Sequence, residues 1–84
     1  MAQLGSQSDP GTDLLPITPS DTVDLEPVAR AMRCRPDGTA GTLRFISLRG
    51  VERNTFISAG EVLQVGATRV FATGTTATGL EAII

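Results

Sequence analysis

The sequence predicts an all-β fold, a small antiparallel β-sandwich or barrel with an extended N-terminal arm. After residue 27, glycine and proline recur at intervals of about 6 to 14 residues and separate short runs, which is typical of sandwiches and barrels. Threonine, whose branched Cβ favours extended backbone, supplies 11 of the 84 residues. The clearest runs alternate apolar and polar residues, as strands with one buried face do.

Six strands are predicted from these runs. They cover residues 28–35, 41–48, 53–58, 61–65, 67–73 and 79–84. A turn is expected at Arg35–Gly38, because proline, aspartate and glycine stand together there. Residues 43–48 carry apolar side chains on both faces, which indicates a strand that is central or covered on both sides.

The last two strands are predicted to form a closing hairpin over residues 68–84. The threonine-rich residues 73–79 would connect them, and Gly74 and Gly79 would mark the turns because glycine adopts positive φ without strain. Ile83 and Ile84 follow as an apolar pair, so we expect them in a strand or at a subunit interface.

Charge divides the chain into two parts. Residues 1–26 carry five acidic residues and no basic one, together with three prolines. Residues 27–84 carry all seven arginines and four acidic residues. Low apolar content, one-sided charge and frequent proline are typical of a segment that cannot bury a core by itself. We therefore assign 1–26 as an acidic, proline-rich N-terminal arm and 27–84 as a β domain.

The arm has one apolar cluster, formed by Leu14, Leu15 and Ile17. We expect residues 1–20 to become ordered only on a neighbouring subunit, with these three side chains as anchors. Thr18–Asp21 has the pattern of a helix start, with a capping threonine and proline at the first helical position. A plain proline bend explains the same residues equally well.

Composition excludes several kinds of chemistry. The chain has no histidine and no lysine, and its single cysteine is Cys34. No Cys/His zinc site, Ser-His-Asp triad or Schiff-base lysine can therefore form within one chain. Asp21 and Asp24 are the best-placed carboxylate pair, but we interpret them as surface or structural charges. We expect no enzymatic activity, cofactor or metal, and a buried, inert Cys34.

Nucleic-acid and membrane partners are not expected either. The formal net charge is −2, and the three aromatic residues, Phe45, Phe56 and Phe71, are assigned to the core rather than to base stacking. Residues 1–11 lack the basic start and apolar run of a signal peptide, and no apolar stretch approaches a membrane span. A protein assembled in the cytoplasm fits these features.

Self-association is the expected source of additional stability. A domain of about 60 residues buries only about 60% of its unfolded surface, and here no disulfide can staple it. Arginine without lysine suits interfacial ion pairs, because the planar guanidinium binds carboxylates in a bidentate manner. The candidate interface residues are Leu14, Leu15, Ile17, Arg33, Arg35, Arg69, Ile83 and Ile84.

Two ordered motifs carry a family resemblance. The first runs from Ile17 to Thr22 (ITPSDT) and is followed by Arg30-Ala31, and the second is the stretch 69–79 (RVFATGTTATG). Over about residues 17–84 the chain resembles the head spike base proteins of gene transfer agents and related tailed phages of alphaproteobacteria. The chain departs from the family pattern at residues 32–35, where an aromatic residue and a glycine-rich turn are usual.

The resemblance implies a virion structural protein on the outer surface of the head. It would form an oligomeric base, with five-fold symmetry, that connects the head at its vertices to a spike or fibre. Its partners would be further copies of itself, the major capsid protein and the spike or fibre protein. Two alternatives remain at this stage: a decoration or cement protein of the capsid lattice, and a small soluble host domain that binds a ligand.

Overall fold

The computed structural model describes residues 11–84, which form seven strands in two antiparallel sheets. The strands are β1 (Leu14–Pro16), β2 (Ala31–Thr39), β3 (Gly41–Ser47), β4 (Glu52–Ile57), β5 (Val62–Leu63), β6 (Ala67–Val70) and β7 (Thr78–Ile83). The four-stranded sheet has the order β1-β7-β2-β5, and the three-stranded sheet has the order β4-β3-β6. Residues 11–84 contain no helix, so the all-β prediction is confirmed.

The core lies between the two sheets and draws on both. Met32, Cys34, Leu80 and Ala82 alternate with outward side chains on β2 and β7. From the other sheet come Leu43, Phe45, Ile57, Ala67 and Val70. Buried residues alternate with outward ones along β3, β7 and the first half of β2, whereas β6 buries its first and last residues and β4 only its last. Cys34 is fully buried, as the sequence indicated.

The predicted turn at 35–38 is wrong. β2 continues through Pro36, Asp37 and Gly38 to Thr39, and the irregular pairing with β7 between Cys34 and Thr39 accommodates these residues. Gly38 and Gly79 make this possible: Gly79 has a φ of +72°, and a Cβ there would lie 3.0 Å from the Gly38 Cα. The glycine pair allows two backbones to approach more closely than side chains permit.

The prediction of a closing hairpin is also wrong, because its two strands belong to different sheets. β6 pairs with β3, whereas β7 pairs with β1 and β2. Residues 73–77 connect β6 to β7 and run beside β3. They form no strand there and instead contact β3 through threonine side chains. The Thr42 amide donates to Thr76 Oγ1 at 2.8 Å, and the Arg44 amide donates to Thr75 Oγ1 at 3.0 Å. Non-local pairing with β3 thus decides the path of this segment.

Part of the predicted arm belongs to the domain's own fold. β1 pairs with β7 of the same chain, and Ile17 is buried in the core. The expectation that residues up to 20 order only on a neighbour is therefore wrong for 14–17, whereas residues 1–10 lie outside the described part of the chain. No helix starts at Thr18. Instead, Ser20 Oγ accepts hydrogen bonds from the Thr22 and Val23 amides in a polar turn.

Candidate functional site

The N-terminal segment closes one long side of the sandwich. β1 covers the edge of the four-stranded sheet, and residues 20–29 then follow the outer edge of β6. Along that edge, amides donate to carbonyls in three pairs: Ser20 to Val70 at 2.9 Å, Leu25 to Thr68 at 2.8 Å and Ala29 to Ala67 at 3.0 Å. Because an unpaired edge invites pairing with other chains, this segment protects both sheets on one side.

An acidic residue anchors this segment to the loop after β6. Asp21 accepts two hydrogen bonds from Thr73, one from the hydroxyl at 2.6 Å and one from the backbone amide at 2.9 Å. Those bonds, the hydroxyl contribution first, hold the pKa of the Asp21 carboxyl below its ordinary value. The contact ties the ITPSDT motif to the RVFATGTTATG motif.

A second set of charges lies on the outer face of the three-stranded sheet. Arg69 Nε donates to Asp24 at 2.8 Å, and Arg44 Nε donates to Glu52 at 2.7 Å. The Arg44 guanidinium lies 4.2 Å from the centre of the Phe71 ring, within cation–π range. The hydrogen bond from Arg44 lowers the pKa of Glu52, and the same bond raises the pKa of Arg44. Arg69 therefore pairs the domain with Asp24 of the acidic arm, whereas Arg44 pairs with a carboxylate of the domain itself.

The predicted core position of two aromatic residues is wrong. Phe45 is buried, but Phe71 is half-buried beneath Arg44, and Phe56 is 58% exposed on edge strand β4. Phe56 stands opposite Thr42 on the outer face of the three-stranded sheet. An aromatic residue on that face has no opposing sheet to cover it.

The eight predicted interface residues fall into three places. Leu14, Arg33 and Ile83 meet on the outer face of the four-stranded sheet. Ile17 is buried in the core, Ile84 packs against it, and Leu15 is half-buried opposite Ala82. Arg35 forms an exposed ion pair with Asp37, and Arg69 binds Asp24. The structure therefore brings three of the eight together, and their role in assembly stays a prediction.

These three residues line a shallow groove that we call the sheet groove. It has a volume of about 420 Å³ and is formed by residues 11–14, Arg33, Val62 and Ile83. Arg33 Nε lies 3.1 Å from Glu81 Oε1, although its N–H is not aligned for a hydrogen bond. Leu14 and Val62 are exposed, and so is Asp13, which is another lining residue. The groove is thus largely apolar, and its charged groups are the Asp13 carboxylate and the Arg33–Glu81 ion pair.

A second exposed apolar surface lies at the end of the sandwich where three loops meet, and we call it the end patch. Its members are Val28, Leu48, Val51 and Val65, all exposed. The loops meet at Gly66, which is buried. A Cβ added there would lie 2.7 Å from Leu48 Cγ and 2.8 Å from the Ala29 carbonyl oxygen, so both neighbouring loops contact this glycine. Four exposed branched aliphatic residues from distant parts of the sequence therefore lie in loops that adjoin at Gly66.

Sequence reasoning missed the end patch and Val62. Leu48 was placed at the end of a buried strand, but β3 stops at Ser47 and Leu48 begins the turn to β4. The available signal was the pair of apolar residues around Arg49-Gly50, since a turn of solvent-facing residues has no need of Leu48 or Val51. Val28 precedes Ala29, and Val65 lies two residues before Ala67. Ala29 and Ala67 pair with each other, a non-local contact that short-range patterns do not reveal.

Within residues 11–84, no group of three or more acidic, cysteine or histidine side chains is placed to hold a metal ion. The Cys34 thiol instead lies 3.3 Å from the Thr78 carbonyl inside the core. None of the described elements is a helix long and apolar enough to cross a membrane.

Comparison with solved structures identifies a relative. The chain matches one described as "Capsid of native GTA particle computed with C5 symmetry", with 38% sequence identity and a TM-score of 0.78. The match covers 93% of this chain and 88% of the other. The protein belongs to the family of this gene transfer agent (GTA) capsid component. Profiles of known protein families and the curated proteins give no match.

Membership of this capsid family confirms the coarse part of the expectation. It supports a structural role in a virion or virion-like particle, in association with other capsid chains. The TM-score over nearly the whole chain also shows that the two-sheet architecture is shared.

Proposed function

We propose that this protein is a non-enzymatic structural component of the head of a phage or phage-like particle. It lies on the outer surface of the head, forms an oligomeric base at the vertices and connects the capsid to a spike or fibre. The observation that carries this proposal is the 38% identity, over 93% of the chain, to a component of a GTA capsid computed with C5 symmetry. Five-fold axes pass through the vertices of an icosahedral head, so a vertex location agrees with that symmetry.

Two features of the surface support a connecting role. The end patch and the sheet groove are separate apolar surfaces on one small domain, and such surfaces on soluble proteins mark sites of protein contact. The strand edges differ as well. The N-terminal segment covers one side of the sandwich, whereas no strand of residues 11–84 pairs with the outer edge of β4. Further copies, the major capsid protein and a spike or fibre protein are the proposed partners.

The carboxylate pair is consistent with a structural role. The two side chains bind different partners: the Asp21 carboxylate accepts from Thr73, and the Asp24 carboxylate accepts from Arg69. A general acid and base would need to approach one substrate from the same site. Their contacts instead fix the N-terminal segment to the domain.

Purified particles from producing cells with and without the gene test this proposal. We expect the protein in wild-type particles, its loss together with the spike or fibre in the deletion, and recovery of both when the gene is supplied again. Copy number separates the two head roles, because a vertex base requires tens of copies per particle and a lattice-wide cement protein requires hundreds. Absence of the protein from purified particles would refute a structural role in the head.

A further inference from the structure

We propose that the end patch of one copy docks onto the sheet groove of the next copy, in a head-to-tail contact. This inference rests on the proposed function, because it specifies how the oligomeric base holds together. The end patch is formed by Val28, Leu48, Val51 and Val65, and the sheet groove presents Leu14, Val62 and Ile83. Six of these seven side chains are at least 40% exposed in the single chain, so their contact would bury apolar area that now faces water.

Charge complementarity favours a second copy as the occupant. Arg49 lies in the turn between Leu48 and Val51, and Arg53 follows Val51 by two residues, within β4. Neither guanidinium has a carboxylate within 4 Å among residues 11–84. The arginines of the outer sheet faces, in contrast, are paired within the chain, as Arg44 is with Glu52. The sheet groove carries Asp13, which likewise has no arginine partner in that range. Arg33 also lines the groove, but it is paired with Glu81 of the same chain. The charges left unpaired are therefore opposite on the two surfaces, arginine beside the end patch and Asp13 in the groove.

The position of the two surfaces determines the kind of assembly. The sheet groove lies on the outer face of the four-stranded sheet, whereas the end patch lies where the loops at 28–29, 48–51 and 65–66 meet. Two different surfaces in contact make a heterologous interface, and such interfaces generate rings when the rotation between copies closes. A self-contact of one surface alone would give only a two-fold dimer.

Sedimentation of the purified full-length protein over a range of concentrations tests this contact. We expect wild-type protein to self-associate, and Leu48→Asp in the end patch or Val62→Asp in the sheet groove to weaken association at least tenfold. Phe56→Asp is the matched control. Phe56 is 58% exposed and Leu48 is 54% exposed, but Phe56 lies on the outer face of the three-stranded sheet and belongs to neither surface. Circular dichroism confirms that each variant folds.

A charge exchange tests the pairing of the two surfaces. Arg49→Glu with Arg53→Glu should weaken association, and Asp13→Arg should do the same. All three changes in one chain should restore it in part, because the charges are then complementary again. Restoration would not follow from a merely local structural role for these residues.

Three results would overturn the inference. They are a wild-type protein that remains monomeric at every concentration, equal loss of association in Phe56→Asp, and no restoration by the triple charge exchange.

A monomer that still enters particles, and loses entry on Leu48→Asp, would show that the end patch binds another virion protein. Deletion of residues 2–10 that increases association would assign the groove to the chain's own N-terminus. In both cases the proposed head role would stand while the self-contact would fall.

Discussion

Asp21 binds Thr73 across 52 positions of sequence and joins the two motifs that carry the family resemblance. We expect Asp21→Ala and Thr73→Val each to lower the unfolding temperature by a few degrees at neutral pH. The double variant should be little worse than either, because both changes remove the same contact. Thermal unfolding followed by circular dichroism measures the effect. Asp37→Ala is the control, because it removes only an exposed ion pair with Arg35.

The same contact predicts a pH dependence. Hydrogen bonds from Thr73 hold the pKa of Asp21 below its ordinary value of 3.8. A lowered pKa in the folded state stabilises that state above the unfolded pKa, and the contribution disappears as the pH falls through the lowered value. The difference in unfolding temperature between wild type and Asp21→Ala should therefore be full above about pH 5 and should shrink in stronger acid. A constant difference would contradict this account.

Gly79 allows the close approach of β7 to β2. Gly79→Ala should cost about 2–3 kcal/mol, from a strained positive φ and from crowding against Gly38. Gly50→Ala is the matched control, because Gly50 has a φ of +80° but nothing within 4 Å of an added Cβ. It should lose only about 1 kcal/mol. Denaturant unfolding compares the two variants, and an equal loss would show that the Gly38–Gly79 contact is not tight.

At the scale of elements, Ile17 connects the N-terminal segment to the core. It is 8% exposed and follows β1, whereas Val23 lies further along the same segment and is 65% exposed. Ile17→Ala should reduce the free energy of unfolding by about 2–4 kcal/mol. Val23→Ala should change it by less than about 0.5 kcal/mol. If the two variants lose the same stability, the segment is not part of the folding unit.

Local patterns predicted most of the strands but not all of their partners. The alternation at 79–84 and the apolar run at 43–48 correspond to β7 and to the central strand β3, because burial on one or two faces leaves a periodic trace. β1 was missed because it has only three residues and takes its register from β7. The hairpin prediction failed because threonine hydroxyls along β3 are non-local partners that no short-range pattern encodes.

At the scale of the whole molecule, the sequence predicted a small antiparallel β-sandwich or barrel, and the structure has two antiparallel sheets. The exposed surfaces follow only from the folded chain. Leu14, Arg33 and Ile83 were predicted interface residues that the fold gathers in one groove. The other surface depends on three loops that meet only in the folded chain. A small all-β domain with two apolar surfaces suits a component that joins other proteins, which is the role we propose.

The central claim is that this protein forms the base of a spike or fibre at the vertices of the head. A cryo-EM difference map between wild-type particles and particles lacking the gene tests it most directly. The account predicts missing density at the vertices, with the β-sandwich fitting the wild-type density there and the spike or fibre absent above it. Identical vertices in the two maps, or difference density spread over the whole lattice, would contradict it.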